Sequence, residues 1–375
     1  MLCIYLPTAQ SPFSNLRILD AFSLSLICAS HISFILGPQL CKVLVGDCAD
    51  GPVCTLMGQL SMACPKLQAL EMYCRRDTSA IVGRFKYLKE FKCVEGEMTA
   101  FTLANLAASP SLLTFSSPLP PLSAIEALSP AESFITLVRL ELYILDTGHS
   151  LSQFLRHIHS SSLRDLILDF REQDNLTIKP IFQEIAKFSS LANLTIYGRP
   201  TSAPMPSCGL EPLLKLSQLQ RVIILHDGVQ ITRENIPVIS RAWPLIRHLR
   251  IQPCTQQMNS TPLDALGLFA EHMPNLQTLG ISLDAAVFPV SSIVPARSTA
   301  LATIFVERSV NVTLASVKHL ALHISDIYPN ARLGTADESP IFYERGDEHL
   351  WSELYSLFDC LSEARRQERR RISLA

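Results

Sequence analysis

Charged residues are scarce in this sequence of 375 residues. Asp, Glu, Lys and Arg together make up 18% of the chain, hydrophobic residues make up 48%, and the net charge is only -2. A chain with this balance can bury enough apolar surface to fold, which excludes an intrinsically disordered protein. It also lacks the large excess of Lys and Arg that is typical of nucleic-acid-binding domains. We therefore expect a folded protein with a local functional surface and no nucleic-acid partner.

The sequence also lacks the short motifs of common enzymes and metal sites. It has no glycine-rich nucleotide-binding loop, no HExxH pair and no GxSxG elbow. Its 11 cysteines include no CxxC pair, so we interpret them as small buried hydrophobes rather than as zinc ligands or a disulfide framework. His157 and His159 would face different sides of a helix, which is typical of a solvated helix end. We predict no catalytic residue, no cofactor and no metal.

A stretch without Lys, Arg, Asp or Glu covers residues 21–41. Its length would allow a membrane span. However, His31 and several serines interrupt it, and Phe22, Leu24 and Leu26 alternate as they would in a β-strand. We therefore prefer a buried terminal repeat over a membrane or signal segment, and we do not expect a membrane partner.

The sequence does contain a short phrase that recurs along most of its length. The phrase is an aliphatic residue followed at the third and fifth positions by further apolar residues, as in Ile246, Leu249 and Ile251. We call the first residue of each phrase the repeat anchor. The anchors are Leu16, Leu40, Leu67, Leu88, Leu112, Leu137, Leu163, Leu191, Leu219, Ile246, Leu276 and Leu301. Their spacing of 21 to 30 residues fits the leucine-rich-repeat period. We predict an α/β leucine-rich-repeat solenoid, or horseshoe, with a parallel concave sheet and outer helices.

The segments between the phrases predict helices. In "STPLDALGLFAEHMP", Thr261 is the expected N-cap, Pro262 the first helical residue and Pro274 the stop. Apolar residues at helical spacing from Leu314 to Ile327 predict the helix of the last repeat.

A final amphipathic helix is predicted by "EHLWSELYSLFDCLSEARRQERRR". Its apolar stripe consists of Leu350, Trp351, Leu354, Leu357, Phe358 and Leu361. We interpret this helix as a cap over the open end of the repeat array, in preference to a partner-binding helix.

Changes in composition divide the chain. Residues 109–130 are rich in proline and serine, which predicts either a loop inserted between repeats or a hinge. Residues 331–348 are polar and rich in turn formers. We therefore expect degenerate repeats over residues 1–125, regular repeats over residues 126–335, and a capping helix with a basic tail over residues 336–375.

The candidate binding residues are those that strand alternation turns toward solvent. The second, fourth and sixth positions after an anchor should lie on the concave face of the sheet. Tyr and Arg, which are favoured in interface hot spots, occupy several of these positions. The predicted partner-binding residues are Arg139, Tyr143, Asp165, Asp169, Tyr197, Arg221, His248 and Arg250. Because acidic and basic groups together can orient a protein partner, we expect a protein or peptide ligand on this face.

Several phrases resemble the leucine-rich-repeat F-box-type proteins of mushroom-forming fungi. They are "ISRAWPLIRHLRI", "FAEHMPNLQTLGISLD", "ISDIYPNARL" and "WSELYSLF", and the resemblance covers roughly residues 130–360. It implies a non-enzymatic adaptor in the cytoplasm or nucleus. In that family an N-terminal F-box binds the Skp1-type linker of a cullin-RING ubiquitin ligase, and the repeats recruit a substrate.

The sequence departs from this family at its N-terminus. It has no "LPPELL"-like opening followed by three helices, so either the F-box has been lost or the gene model begins downstream of it. We expect binding to a Skp1-type linker only if an upstream F-box exists. The alternative is a free-standing leucine-rich-repeat scaffold or regulator that is unrelated to ubiquitination.

Overall fold

The chain forms two compact units, residues 1–169 and residues 170–375, in a computed structural model. The residues that the structure describes are 13, 15–21, 35–46, 50–73, 82–96, 98–129, 133–145, 149–171, 178–198, 209–254, 261–286, 298–306, 309–334 and 348–374. Each unit repeats the order of strand, turn and helix, although some of its connections are irregular or very short helices.

The first unit contains a parallel sheet whose strands follow the order of the chain. Its strands are β1 (Ile18–Ala21), β2 (Lys42–Val45), β3 (Ala69–Met72), β4 (Glu90–Cys93), β5 (Thr114–Pro118), β6 (Arg139–Ile144) and β7 (Asp165–Phe170). Its helices are α1 (Asp50–Ala63), α2 (Ala100–Ala107), α3 (Leu122–Glu126) and α4 (His149–Arg156). The last residue of β7 is assigned to the second unit.

The second unit continues the same alternation of elements. Its main strands are β8 (Asn193–Tyr197), β9 (Arg221–Leu225), β10 (His248–Gln252), β12 (Thr278–Ile281), β14 (Thr303–Phe305) and β15 (Arg332–Leu333). A separate pair is formed by β11 (Thr261–Pro262) and β13 (Leu283–Asp284). Its α-helices are α5 (Ile178–Ile185), α6 (Ile236–Ala242), α7 (Ala265–His272), α8 (Leu314–Ile327) and α9 (Glu348–Leu374), and short 3-10 helices cover Glu211–Lys215 and Arg233–Asn235.

Every predicted anchor lies two residues before a strand. The backbone explains this constant offset, because in most repeats one carbonyl accepts two N–H groups of the next repeat. The Cys41 carbonyl, for example, accepts from the N–H groups of Gln68 and Ala69 at 2.8 and 2.9 Å, and β3 begins at Ala69. The predicted leucine-rich-repeat fold, with a parallel sheet and helices, is therefore confirmed within each unit.

The anchors and the apolar residues that follow them form the core of each unit. Leu166 in the first unit, and Leu194 and Leu249 in the second, are each 0% exposed. The weakest phrase is the first, since Leu16 is only half-buried. Burial of alternate strand residues leaves the remaining strand positions on the opposite, outward face of the sheet.

Cys254 closes the turn after β10, as its place in the repeat suggests. Its buried thiol lies 3.1 Å from the carbonyl oxygens of Gly198 and Leu225, which belong to the two preceding repeats. The thiol therefore donates to backbone carbonyls at the ends of two neighbouring strands, and the Leu225 carbonyl also accepts the Gly198 N–H at 2.6 Å. Cys48, at the equivalent position of an early repeat, lies outside the described residues.

The predicted N-cap at Thr261 is wrong. Thr261 belongs to β11, where its N–H donates to the Ser282 carbonyl at 2.8 Å and its hydroxyl donates to the Ile231 carbonyl at 3.1 Å. These two hydrogen bonds hold the residue in an extended conformation. Helix α7 consequently begins three residues later than the spacing predicted, at Ala265.

Two further segments differ from the sequence-based expectation. Residues 109–130, predicted as a loop or hinge, contain strand β5 and the short helix α3, because the anchor Leu112 still directs its repeat into the sheet. Within the turn-rich segment of residues 331–348, β15 adds a short strand beside β14. The domain boundaries at residues 125 and 335 stay a prediction.

The charge-free stretch of residues 21–41 is described only in part. Its first residue ends β1, and Leu36 and Leu40 are buried, whereas residues 22–34 lie outside the described part of the chain. None of the described helices combines the length and the apolar character that crossing a membrane would require.

The final helix packs on the end of the second unit. Trp351, Leu354 and Phe358 of α9 are buried, and the helix contacts α8 and β15. An ion pair between Arg365 and Asp326, 2.7 Å apart, joins α9 to α8. That α9 serves as a cap over the open end of the repeat array stays a prediction.

Candidate functional site

All eight predicted partner-binding residues occupy outward strand positions. Four of them belong to the first unit, namely Arg139, Tyr143, Asp165 and Asp169, and four to the second, namely Tyr197, Arg221, His248 and Arg250. Arg139 and Arg221 are exposed, and Arg250 is buried, whereas the other five are half-buried. That these residues together bind a partner stays a prediction.

A hydrogen-bonded charge cluster lies on β3 and β4 of the first unit. Glu71 and Lys92 are in register on these strands, and their Oε1 and Nζ atoms are 2.9 Å apart. The Tyr73 hydroxyl donates to the same Glu71 oxygen at 2.7 Å, and Lys92 Nζ lies 5.8 Å from the centre of the Tyr73 ring. The three side chains therefore hold one another in place on the outward face.

The pKa shifts in this cluster follow from its contacts. Burial alone would raise the pKa of Glu71, but the hydrogen bonds from Lys92 and Tyr73 hold it below its usual value. Burial would lower the pKa of Lys92, and the neighbouring Glu71 carboxylate raises it above its usual value. Both groups are therefore charged at neutral pH.

A second cluster repeats part of this arrangement on β6. The Tyr143 hydroxyl donates to Glu141 Oε1 at 2.8 Å, and Arg139 Nη2 lies 3.5 Å from Glu141 Oε2. Burial raises the pKa of Tyr143, so its phenol stays protonated and able to donate. Glu141 thus receives both a neutral donor and a positive charge.

An open groove of about 310 Å³ lies along the strands that carry the two clusters. Its charged lining residues are Lys42, Glu71, Glu90, Lys92, Arg139 and Glu141. Lys42, Glu90 and Arg139 occupy the first outward position of their strands, and the other three occupy the second. The groove therefore presents equal numbers of positive and negative groups in two rows.

The part of this groove on β2 to β4 lies outside the predicted site, because all eight predicted residues belong to β6 to β10. A signal was present. The strings "LEMY" and "LELY" place a Glu and a Tyr at the fourth and sixth positions after the anchors Leu67 and Leu137. Glu and Tyr two residues apart on a strand share one face, which predicts the observed hydrogen bond.

The face of the second unit is organised around the buried Arg250. Its guanidinium carbon lies 4.4 Å from the centre of the Phe305 ring, and its Nε donates to Gln252 Oε1 at 2.8 Å. Between β10 and β14, Gly280 makes room for this side chain, since a Cβ there would lie 2.3 Å from Arg250 Cγ. Only 6% of Arg250 is exposed, so it forms the floor of the face rather than a projecting contact.

A pocket of about 210 Å³ lies above this floor. Its polar and aromatic lining residues are Arg221, His248, Arg250, Thr278, Thr303 and Phe305. His248 Nδ1 is 3.0 Å from the Thr278 hydroxyl, and burial together with Arg221 and Arg247 lowers the pKa of His248. The two threonines and Phe305 were not singled out from the sequence.

The described residues include no metal-binding cluster, and two of their buried cysteines have raised thiol pKa values. Their His, Cys, Asp and Glu side chains form no group of three that could hold a metal ion. Burial raises the pKa of the Cys64 thiol to about 11 and also raises that of Cys93. Both thiols are therefore protonated at neutral pH, which is typical of structural cysteines.

Comparisons with known proteins give a likeness in fold alone. No protein-family model matches the chain, and no curated protein matches its sequence. Solved structures do match, and among them is an internalin from Listeria monocytogenes with 15% sequence identity and a TM-score of 0.44. That match covers 84% of this chain and 83% of the internalin chain.

Proposed function

We propose that this chain is a non-enzymatic protein-interaction module that binds a protein or peptide on the strand faces of its repeats. The observation that carries the proposal is the pair of Glu–Tyr clusters, Glu71 with Tyr73 and Glu141 with Tyr143, beside one open groove. These hydrogen bonds hold the outward tyrosine and glutamate side chains in fixed positions. Preorganised side chains reduce the entropy that a partner must overcome on binding.

The charge pattern supports a peptide segment as the ligand. Alternating acidic and basic side chains across neighbouring strands can fix the register of a segment that carries both charges. A nucleic acid would meet Glu71, Glu90 and Glu141 in the same groove, and their carboxylates would repel its phosphates. We therefore assign the groove to a protein ligand.

The test begins with proximity labelling in cells to identify the partner, followed by affinity measurements on the purified full chain. We expect Lys92→Ala and Tyr143→Ala each to weaken binding by about tenfold or more, as is usual for hot-spot residues. Tyr143→Phe, which removes only the hydroxyl, separates loss of the hydrogen bond from loss of the ring.

Matched controls lie on the helices of the second unit. Glu271 and Lys318 are exposed on α7 and α8, so Glu271→Ala and Lys318→Ala should leave the affinity unchanged. The proposal fails if the helix variants weaken binding while Lys92→Ala and Tyr143→Ala do not. Thermal melts of all variants check that each one is folded.

A finer proposal follows from the resemblance to F-box-type proteins, namely that the bound partner is a ubiquitin-ligase substrate. The expected result is that the partner's ubiquitination falls when cullin-RING ligases are inhibited, and also when Tyr143→Ala replaces the wild type. Unchanged ubiquitination would favour the free-standing scaffold.

We also propose a cytoplasmic or nuclear location, which is supported by the free thiols of Cys41, Cys64, Cys93, Cys254 and Cys360.

A further inference from the structure

Four polar side chains form one row across the face of the second unit. Arg221, His248, Thr278 and Thr303 are in register on β9, β10, β12 and β14. Adjacent strands are about 4.8 Å apart, so a ligand that spans one or two strands can reach several of these groups at once. All four line the pocket above Arg250.

The floor of the pocket holds a positive charge in a fixed position. Gln252 accepts the Arg250 Nε hydrogen bond, and the Gln252 amide donates to the carbonyls of Ile281 and Phe305 at 3.3 and 3.2 Å. The guanidinium is also stacked on the Phe305 ring. Arg250 is therefore preorganised, and a ligand does not need to order this side chain.

The sign of the charge on this face is uniform. On the described strands β8, β9, β10, β12, β14 and β15, the outward positions include arginines and a histidine but no Asp or Glu. The first unit differs, since Glu71, Glu90 and Glu141 line its groove together with positively charged Lys and Arg side chains. The second unit is thus suited to an anion, whereas the first is suited to a ligand of mixed charge.

We propose that this pocket binds the phosphoryl group of a phosphorylated side chain of the protein partner, an inference that rests on the proposed protein-binding function. A phosphoryl group carries close to two negative charges and three acceptor oxygens. Arg221 supplies a planar fork of donors, and Thr278 and Thr303 supply hydroxyls on the same row. A carboxylate has one charge and two oxygens, and it would use fewer of these groups. The pocket volume of about 210 Å³ suits a single side-chain head group.

The experiment uses the purified full chain and N-acetyl phosphoserine amide as the probe, with binding followed by phosphorus NMR. Inorganic phosphate is titrated in parallel, and N-acetyl glutamate amide is tested as a competitor. We expect the phosphoserine probe to bind more tightly than inorganic phosphate, and the glutamate derivative to compete at least about tenfold more weakly.

Two variants and one control locate the site. Arg221→Ala removes an exposed arginine of the row, and Thr303→Val removes a hydroxyl with little change in shape. We expect Arg221→Ala to weaken binding of the probe by about tenfold or more, and Thr303→Val to weaken it by a smaller factor. Arg241→Ala removes an exposed arginine from helix α6 and should leave binding unchanged.

Four results would overturn the inference. They are no binding of the probe, equal competition by the glutamate derivative, tighter binding of inorganic phosphate than of phosphoserine, and equal effects of Arg221→Ala and Arg241→Ala. The general protein-binding function is judged separately, through Lys92→Ala and Tyr143→Ala. A partner that depends on those two residues while the phosphoserine probe fails leaves the proposed function intact and removes only this inference.

Discussion

Gly280 determines how the side chains pack on the face of the second unit, because it has no side chain of its own. Arg250 and Phe305 are in line on either side of Gly280, and the arginine side chain crosses the space that a Cβ would occupy. Gly334 plays the same part for Phe305, because a Cβ there would lie 2.4 Å from its ring. Large residues and glycines therefore alternate along this row, in the order Arg250, Gly280, Phe305 and Gly334. Arg250 can stack on Phe305 because Gly280 between them has no side chain.

Gly280→Ala should therefore destabilise the protein. Its Cβ would displace Arg250, and overpacking of this kind costs about 1 to 3 kcal/mol of the free energy of unfolding. Gly58→Ala in α1 is the matched control, since nothing lies within 4 Å of the added Cβ, and a helical alanine should be neutral or stabilising. Urea unfolding measures both variants. Equal stability of the two would contradict the packing described for Arg250.

His226 is a buried residue whose protonation affects stability. Its Nδ1 accepts the Gly228 N–H at 3.0 Å, and its Nε2 has no hydrogen-bond partner within the described part of the chain. Burial lowers its pKa from 6.5 to about 4, although the nearby Asp227 opposes the change. The folded state therefore holds a neutral imidazole, whereas the unfolded chain is protonated below pH 6.5.

The sign of the pH effect follows from this difference. As the pH falls from 6.5 toward 4, the unfolded state takes up the proton first, so stability present above pH 6.5 is lost. Between neutral pH and pH 5 we expect the wild type to lose about 2 kcal/mol more than His226→Asn, which keeps an acceptor near Nδ1 but does not titrate. Urea unfolding of both proteins at each pH measures the difference. Parallel losses would show that His226 is not the buried neutral group described here.

At the scale of the element, the repeat phrase sets the burial of each strand. Leu249 is 0% exposed, whereas Leu245, four residues earlier and also a leucine, is 45% exposed. Leu249→Ala should lower the free energy of unfolding by about 2 to 5 kcal/mol, through lost burial and the cavity that remains. Leu245→Ala should change it far less. A thermal melt that shifts equally for both would contradict the assignment of Leu249 to the core.

The final helix makes a second prediction at this scale. Phe358 of α9 is 0% exposed, so Phe358→Ala should cost about 3 to 5 kcal/mol of stability if α9 caps the second unit. Ser356→Ala on the exposed side of α9 is the control. Guanidinium unfolding followed by circular dichroism is the measurement. If α9 instead serves to bind a partner and contributes little to the fold, Phe358→Ala would cause little loss of stability.

The sequence was a good guide to strands and a weaker guide to helix starts. A strand begins two residues after each of the 12 anchors, because apolar spacing of three and five residues is a direct requirement of packing in the repeat. The start of α7 could not be predicted in the same way. Thr261 satisfies the local rules for an N-cap, but the tertiary hydrogen bonds to Ser282 and Ile231 place it in a strand.

At the scale of the whole molecule, the two units present faces of different charge. Alternation predicted which residues point outward, and all eight candidate residues do so. It could not predict that Arg250 would be buried, because that depends on Gly280 and Phe305 in later repeats. The ion pair in the groove on β2 to β4 follows the repeat register, since Glu71 and Lys92 both stand at the fourth position after their anchors, Leu67 and Leu88.

The central claim is that a protein partner binds the strand faces and not the helices. Hydroxyl-radical footprinting of the full chain, with and without the partner found by proximity labelling, tests it most directly. We predict that oxidation of Tyr73, Tyr143 and Tyr197 falls on binding, while oxidation of Phe101 on α2 and Leu322 on α8, which are 62% and 43% exposed, does not change. Protection of Phe101 or Leu322 with unchanged oxidation of the three tyrosines would contradict the account.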